Sequence, residues 1–329
     1  MITTRAPLRI PLGGGGTDLP SFYRHHGGFV LSVGIDKYVY IHLNRLKVER
    51  FIRVKYSRTE RVDDARDIAH PLLREALLHT RVNGGIEISA MSDIPGRTGK
   101  GSSGSFTVAL LAALHAHKRK QVPIQDLAEE AHYIEAGRAA QPAGKHDHYL
   151  GAFGGLTTLE IDPSGKVEVA PLPISAHVAE ELPNSLVVFF TGIQRESADI
   201  LAQQDRETKA GDSAVIDGLH EIKQIGYDIR DALVEGDLDR FGHLMHRHWQ
   251  TKKKRSEKMT NTRIDRWYEQ GIEAGALGGK ILGAGGGGFL MFYCPAEHRW
   301  QLREQMAQEG LIEMHFRFDM EGVKVLMNA

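Results

Sequence analysis

An α+β fold in two domains is what this 329-residue chain predicts, and three observations predict it. Short apolar runs of strand type crowd the first half beside helical ones, long helical stretches fill the span from about 194 to 275, and strands return at the end. Strands and helices are therefore partly segregated rather than strictly alternating. The length suffices for two cores, and 41% apolar with 25% charged residues is the balance of an ordinary globular protein. A β run after an acidic, proline-containing stretch places a boundary near residue 183, giving domains 1–183 and 184–329.

The elements follow in order. Tyr38–Asn44 alternates, with Val39, Ile41 and Leu43 on one face, and Arg50–Tyr56 is short and β-branched; together they read as an antiparallel pair. Gly85–Ser89 is a further short strand. Ser102 to about Lys118 reads as a helix, and Pro123 opens another. Asn184–Phe190 is a strand. Helical patterns cover roughly 194–209, 213–235, 237–258 and 262–275, and strands are expected at 279–282, 288–294 and 322–327. No internal repeat or low-complexity linker interrupts the chain.

Composition excludes several classes of function. A net charge of −1 gives no global field for nucleic acid or acidic lipid. The one cysteine, Cys294, sits in an apolar run and reads as a buried small hydrophobe, with no internal disulfide available to it. The first twenty residues carry no apolar core of signal-peptide length, and no run is long enough to cross a bilayer, so a cytoplasmic location is expected.

The chemistry begins at Pro95-Gly-Arg-Thr-Gly-Lys-Gly-Ser-Ser-Gly-Ser105, which packs four glycines and three serines ahead of an alanine- and leucine-rich helix. A Walker loop fails twice here, since Ile94 stands where its first glycine belongs and Gly101 where its Ser/Thr belongs. Gly99 to Gly104 spells G-x-G-x-x-G, but the helix after it runs into a second helix rather than a parallel strand, so the dinucleotide fingerprint lacks its context. Two readings remain: a phosphate cradle built from helix N-terminal N–H groups, with Ser102 or Ser103 capping the helix and one hydroxyl free for Mg²⁺, or a plain cap and loop. The next helix favours the cradle. Ile124, Leu127, Ala128, Ala131 and Ile134 trace one apolar face, and Glu135 falls on it. A core-facing carboxylate needs a metal or a cationic partner, unless the helix frays near Gly137. A further glycine segment, Gly283-Ala-Gly-Gly-Gly-Gly288 between two apolar runs, exceeds what a hairpin turn requires and suits backbone passing close to a reacting centre.

Three ordered motifs now resemble the GHMP kinase superfamily: Arg5–Asp18 the first, Ile94–Ser105 the ATP loop, and Lys280–Phe289 the third. The likeness spans almost the whole chain. RAPLRIPLGGGGTDLPSFY, GKHDHYLGAFGGL, FFTGIQRESADIL and EAGALGGKILGAGGGGFLMFY resemble the bacterial heptose 7-phosphate kinases within it. The resemblance implies an N-terminal α+β domain with a left-handed crossover and a ferredoxin-like C-terminal domain, with a sugar phosphate between them. It implies ATP on Pro95, Gly96, Gly99, Lys100, Gly101, Ser102, Ser103 and Gly104. Mg²⁺ would sit on Ser103 and Glu135, with Asp147 and Arg9 as the catalytic pair. Gly15, Gly16, Thr17, Asp18, Gly192, Arg195, Gly285 and Gly286 would face the sugar phosphate. Without the resemblance, Arg9 reads more readily as a structural ion pair and Asp18 as an Asx-turn residue.

The chain departs from that family at Lys100, where an apolar residue is usual, and at His146 and His148, which replace glutamines flanking the aspartate. If Asp147 points inward, the two histidines point away from each other, against a shared metal. His243, His246 and His248 read as surface or packing residues, and Lys252–Arg255 as a mostly solvated basic run with a lesser claim on a phosphate. The reaction expected is phosphorylation of a sugar's anomeric hydroxyl, in a heptose 7-phosphate first and in a fucose- or galactose-type sugar second. A catalytically silent sugar or nucleotide sensor is the rival class. Monomer and homodimer both stay open.

Overall fold

A computed structural model describes residues 1–95, 101–193, 197–255 and 259–329. The first lobe opens with β1 (Ile2–Gly13), α1 (Pro20–His26), the long β2 (Gly28–Arg45), β3 (Ile52–Lys55), β4 (Thr59–Val62), α2 (Pro71–Thr80) and β5 (Ile86–Ser92). There follow α3 (Ser102–His117), α4 (Ile124–His132), α5 (His146–Phe153), β6 (Leu156–Ile161), β7 (Val167–Pro171) and α6 (Ala176–Ser185). The second lobe carries β8 (Leu186–Phe190), α7 (Ser197–Lys209), α8 (Ser213–Glu235), α9 (Leu238–Lys254), α10 (Thr262–Glu273), β9 (Gly278–Ile281), β10 (Phe289–Tyr293), α11 (Arg299–Gln308) and β11 (Ile312–Glu313). The last strand, β12 (Lys324–Asn328), returns to the first lobe and pairs antiparallel with β1.

The larger sheet runs β12-β1-β2-β5-β3-β4, with β6 also paired to β2 and β7 paired to β6. β2 is long enough to pair β6 along Gly28–Val33 and β5 along Val39–Arg45. Val39, Ile41 and Leu43 are all buried, as their alternation requires. The expected antiparallel pair of Tyr38–Asn44 with Arg50–Tyr56 does not form. β5 inserts between them, and β3 pairs it in parallel and β4 in antiparallel fashion. Local alternation specifies which side of a strand is apolar, not which strand lies beside it.

The smaller sheet, β11-β8-β10-β9, is antiparallel throughout. One core lies beneath the larger sheet against α2 to α5. A second joins the lobes: Leu8, Ile10 and Leu12 of β1 meet Ile225 and Ile229 of α8, Phe241 and Met245 of α9, and Met291 of β10. A third fills the outer face of the smaller sheet around Trp249 and Trp267 and takes in Cys294, whose thiol is pushed up to about 11 by burial. Residue 183 falls inside α6, so the division at 183/184 stays a proposal. No described helix is long and apolar enough to cross a membrane.

Candidate active site

β1 carries prolines at positions 7 and 11, and its pairing with β2 slips at both. A proline cannot donate to the ladder, which is why strands irregular in this way gather at sites where a side chain must be re-aimed. Between the slips, Leu8 and Ile10 enter the inter-lobe core while Arg9 faces a cleft of about 220 Å³. There Arg9 donates through Nε (2.8 Å) and Nη2 (2.5 Å) to Oδ1 of Asp147. Burial raises the Asp147 carboxyl, but Arg9 together with His146 and His148 outweighs it and holds the group below its ordinary value. Arg9 is thus an ion-pair residue and a cleft residue at once.

Asp147 stands in the first turn of α5, against the start of α3. Gly101 is the N-cap of α3, at φ 72°, and makes the first helical bond through its carbonyl to the Ser105 N–H. A Cβ on Gly101 would lie 2.9 Å from Asp147 Cγ, and one on Gly104 would lie 2.7 Å from Asp147 Cβ. The glycines therefore bring the helix N-terminus onto the aspartate. The expectation that Ser102 or Ser103 caps the helix is corrected here: Gly101 takes that place, and no side chain caps. Both serines line the cleft, and the N–H groups of the first turn have no intrahelical acceptor.

Glu135 does not end a fraying α-helix. It sits in a π-helical turn, Tyr133–Arg138, and is only 5% exposed. Such turns rotate a side chain out of α-helical register. Here Glu135 reaches the cleft, its Oε2 2.8 Å from His148 Nε2 and its Oε1 without a hydrogen bond among the described residues. Burial pulls His148 down, but the bond and charge of Glu135 outweigh it, so its pKa is raised. His146 faces the opposite way: its Nε2 is 2.7 Å from Ser32 Oγ, and burial followed by the charge of Arg9 lowers it to about 3. Ser102, Ser103 and Glu135 together offer the hard oxygen donors that suit Mg²⁺, with His148 orienting the carboxylate.

Asp18 is not in an Asx turn. Its Oδ2 accepts the His146 N–H at 3.1 Å, and burial raises its pKa. Gly15, Gly16 and Asp18 line the cleft; Thr17 is buried away from it, its hydroxyl bonded at 2.8 Å to the carbonyls of Gly14 and Phe29. In the third motif Gly283 and Ala284 line the cleft. Gly285 and Gly286 instead lie against Met259, with Gly286 donating to its carbonyl at 2.6 Å. Gly192 is exposed, nothing lies within 4 Å of a Cβ built on it, and it is not among the cleft-lining residues. Pro95 is exposed. Gly96, Gly99, Lys100 and Arg195 lie outside the described residues.

Four cleft residues carry more than their sequence signal promised. His248 is a cleft residue, 3% exposed, with neither ring nitrogen partnered among the described residues; of its helix neighbours, His243 is exposed and His246 bonds Tyr268 at 2.9 Å. The basic run splits by helical phase: Lys252 and Arg255 reach the cleft, while Lys253 pairs with Asp265 and Lys254 is exposed. Lys280 is buried, donates to the Leu12 carbonyl at 2.9 Å, and is lowered by burial to about 7. Its position in Gly279-Lys-Ile, between apolar residues of a strand, was the signal available.

The N-terminal domain of the GHMP kinases matches residues 66–155, and their C-terminal domain matches residues 229–311. A D-glycero-alpha-D-manno-heptose 7-phosphate kinase from Campylobacter jejuni is 28% identical over 98% of both chains. A galactokinase from Pyrococcus furiosus is 25% identical over 87% of each. The fold is shared with a D-glycero-D-manno-heptose 1-phosphate kinase from Bacteroides thetaiotaomicron (TM-score 0.82, 23% identity, 99% of both chains). It is also shared with Lactococcus lactis galactokinase complexed with galactose (TM-score 0.78, 18% identity, 99% of this chain and 95% of that one). Two family domains matched in order, on the fold of those enzymes, show that the chain belongs to the GHMP kinases, enzymes that transfer a phosphoryl group to an alcohol.

Proposed function

We propose that this chain is an ATP-dependent kinase that phosphorylates the anomeric hydroxyl of D-glycero-D-manno-heptose 7-phosphate. The observation that carries the reading is Asp147, ionised by Arg9, facing one cleft with Ser103 and Glu135. The full-length similarity to a heptose 7-phosphate kinase supports the substrate. Phosphoryl transfer asks a protein for positioning and charge neutralisation more than for covalent help. Asp147 orients the sugar hydroxyl and takes its proton as the O–P bond forms; a carboxylate held below its ordinary range stays ready in that form. Arg9 fixes the carboxylate and adds positive charge beside it. The N–H groups of Ser102 to Gly104 receive phosphate oxygens. Mg²⁺ held by Ser103 and Glu135 would neutralise the charge of the transferring phosphate. Asp18 and the Gly15–Gly16 backbone hold sugar hydroxyls.

The test is ADP release with ATP and Mg²⁺ over a panel of sugars and sugar phosphates. Heptose 7-phosphate should exceed unphosphorylated galactose and fucose in kcat/KM by at least about a hundredfold, the scale for a site built around a charged group. Equal turnover of galactose or fucose would remove the heptose phosphate from the reading. Absence of ADP release with every sugar would favour a sensor.

A further inference from the structure

Arg255, His248 and Lys280 share one property that the Arg9–Asp147 end lacks. Among the described residues, neither Arg255 nor Lys280 has a carboxylate within ion-pair distance, and His248 has no hydrogen-bond partner on either ring nitrogen. Arg255 donates through Nη2 to the Gln204 side chain and leaves Nε unpartnered; Gln204 in turn donates to the Gly16 carbonyl at 2.8 Å. The three groups are neighbours. After burial, the largest influences lowering His248 are Lys280, Lys252 and Arg255. Lys280 lies close enough to Arg9 to feel its charge, so the cluster begins beside the transfer site and extends to the sugar loop. Arg255 feels the charge of Glu207, but among the described residues no carboxylate reaches it within ion-pair distance; burying cations so weakly countered is costly, and a cleft lined by them is complementary to an anion. A neutral His248 adds a donor of the kind a phosphate oxygen accepts, and the guanidinium of Arg255 presents the forked geometry that phosphate favours.

We propose that Arg255, His248 and Lys280 form the seat for the phosphate that the acceptor already carries, the one the reaction does not transfer. This rests on the sugar-phosphate reading above, and it names the residues that select a phosphorylated over an unphosphorylated sugar. The test compares kcat/KM for heptose 7-phosphate with that for the unphosphorylated heptose, in the wild type and in Arg255→Gln. The ratio should fall about thirtyfold or more in the variant, through KM for the phosphorylated sugar, as expected for one lost charged hydrogen bond to phosphate. Arg255→Lys, the milder change, should give an intermediate ratio and guards against a fold defect. If the wild type discriminates but Arg255→Gln and Arg255→Lys lower both sugars equally, the seat lies elsewhere while the substrate reading stands. If the variants instead raise KM for ATP, the cluster serves the donor and the proposal is overturned. If the wild type makes no distinction between the two sugars, the substrate reading and the seat fall together.

Discussion

The two ends of the cleft treat charge in opposite ways. At one end Arg9 grips Asp147 at 2.5 and 2.8 Å, and Glu135 binds His148 at 2.8 Å, so each carboxylate meets a partner inside the protein. At the other end, among the described residues, the hydrogen bonds of Lys280 and Arg255 go to neutral acceptors, the Leu12 carbonyl and the Gln204 amide. The first arrangement is held by ion pairs within the protein and holds geometry. The second is costly until an anion arrives, and holds affinity. Pre-organisation and binding energy are thus drawn from different lobes: β1, the π-helical turn Tyr133–Arg138 and α5 supply the paired groups, and α9 with its C-cap Arg255 and β9 the unpaired ones.

The sharpest way to break that contrast is at the paired end. Asp147→Asn keeps the shape and removes the charge, so turnover should fall by roughly a hundredfold or more, the range for a positioned base. ATP binding should be nearly intact. Steady-state ADP release and an ATP titration measure both; retained turnover would show that Asp147 does not act as the base. Gly104→Ala should follow, with about a tenfold or larger loss of turnover, because its Cβ would lie 2.7 Å from Asp147 Cβ and must push α5 away. Turnover equal to wild type in that variant would mean that α3 and α5 separate without cost to the aspartate.

The unpaired end is sharpened by pH. Lys280 is lowered from 10.5 to about 7, chiefly by burial. Its ammonium is therefore lost from the free enzyme as pH rises through about 7, and kcat/KM for the sugar phosphate should decline above that point. Asp147 is held below 3.8, which puts its limb on the acid side, outside the neutral range. Lys280→Met should remove the alkaline limb; a limb unchanged in that variant would assign it to another group. The same shift sets the smallest effect. The unfolded chain binds the lysine proton more readily between pH 7 and 10.5, so the folded state gains stability as pH rises through that window. Lys280→Met should raise Tm by a few degrees at pH 6, with the gain shrinking towards pH 10. A melting series that shows no gain at pH 6 would mean that the ammonium is better solvated than its surroundings suggest.

Legibility followed the reach of the interactions. Helices 213–235 and 262–273 were readable because their apolar faces repeat within the segment itself, and the strands near 279 and 289 because a glycine run separates two apolar stretches. β1 gave no clean alternation, with two prolines and a run buried on both faces, and its strand character appears only once β2 and β12 flank it. Glu135 was found because a carboxylate on an apolar face is anomalous in one dimension. Lys280 carried the same kind of anomaly in β9, but on a short strand with no period to break it was silent.

Read along the chain, the segregation of strands and helices carries the α+β class, and local residue pattern carries the glycine loop ahead of α3 and the carboxylate Glu135 on an apolar face; Arg9, Asp18 and Asp147 stood out only through the resemblance of three ordered motifs to the GHMP kinases. The remaining placements arise from contacts between distant parts of the chain. Tertiary structure placed β5 between β2 and β3, carried β12 back to β1, and turned Gly285 and Gly286 towards Met259 while leaving Gly283 and Ala284 at the cleft. It also divided the run Lys252–Arg255 between solvent and cleft, and brought His248, Arg255 and Lys280 into one cluster. The physical reason is range. Propensity, capping and amphipathic period act over a few residues and are written along the chain. Which cation is denied a counter-charge depends on groups that are distant in sequence and meet only when the two lobes share a core.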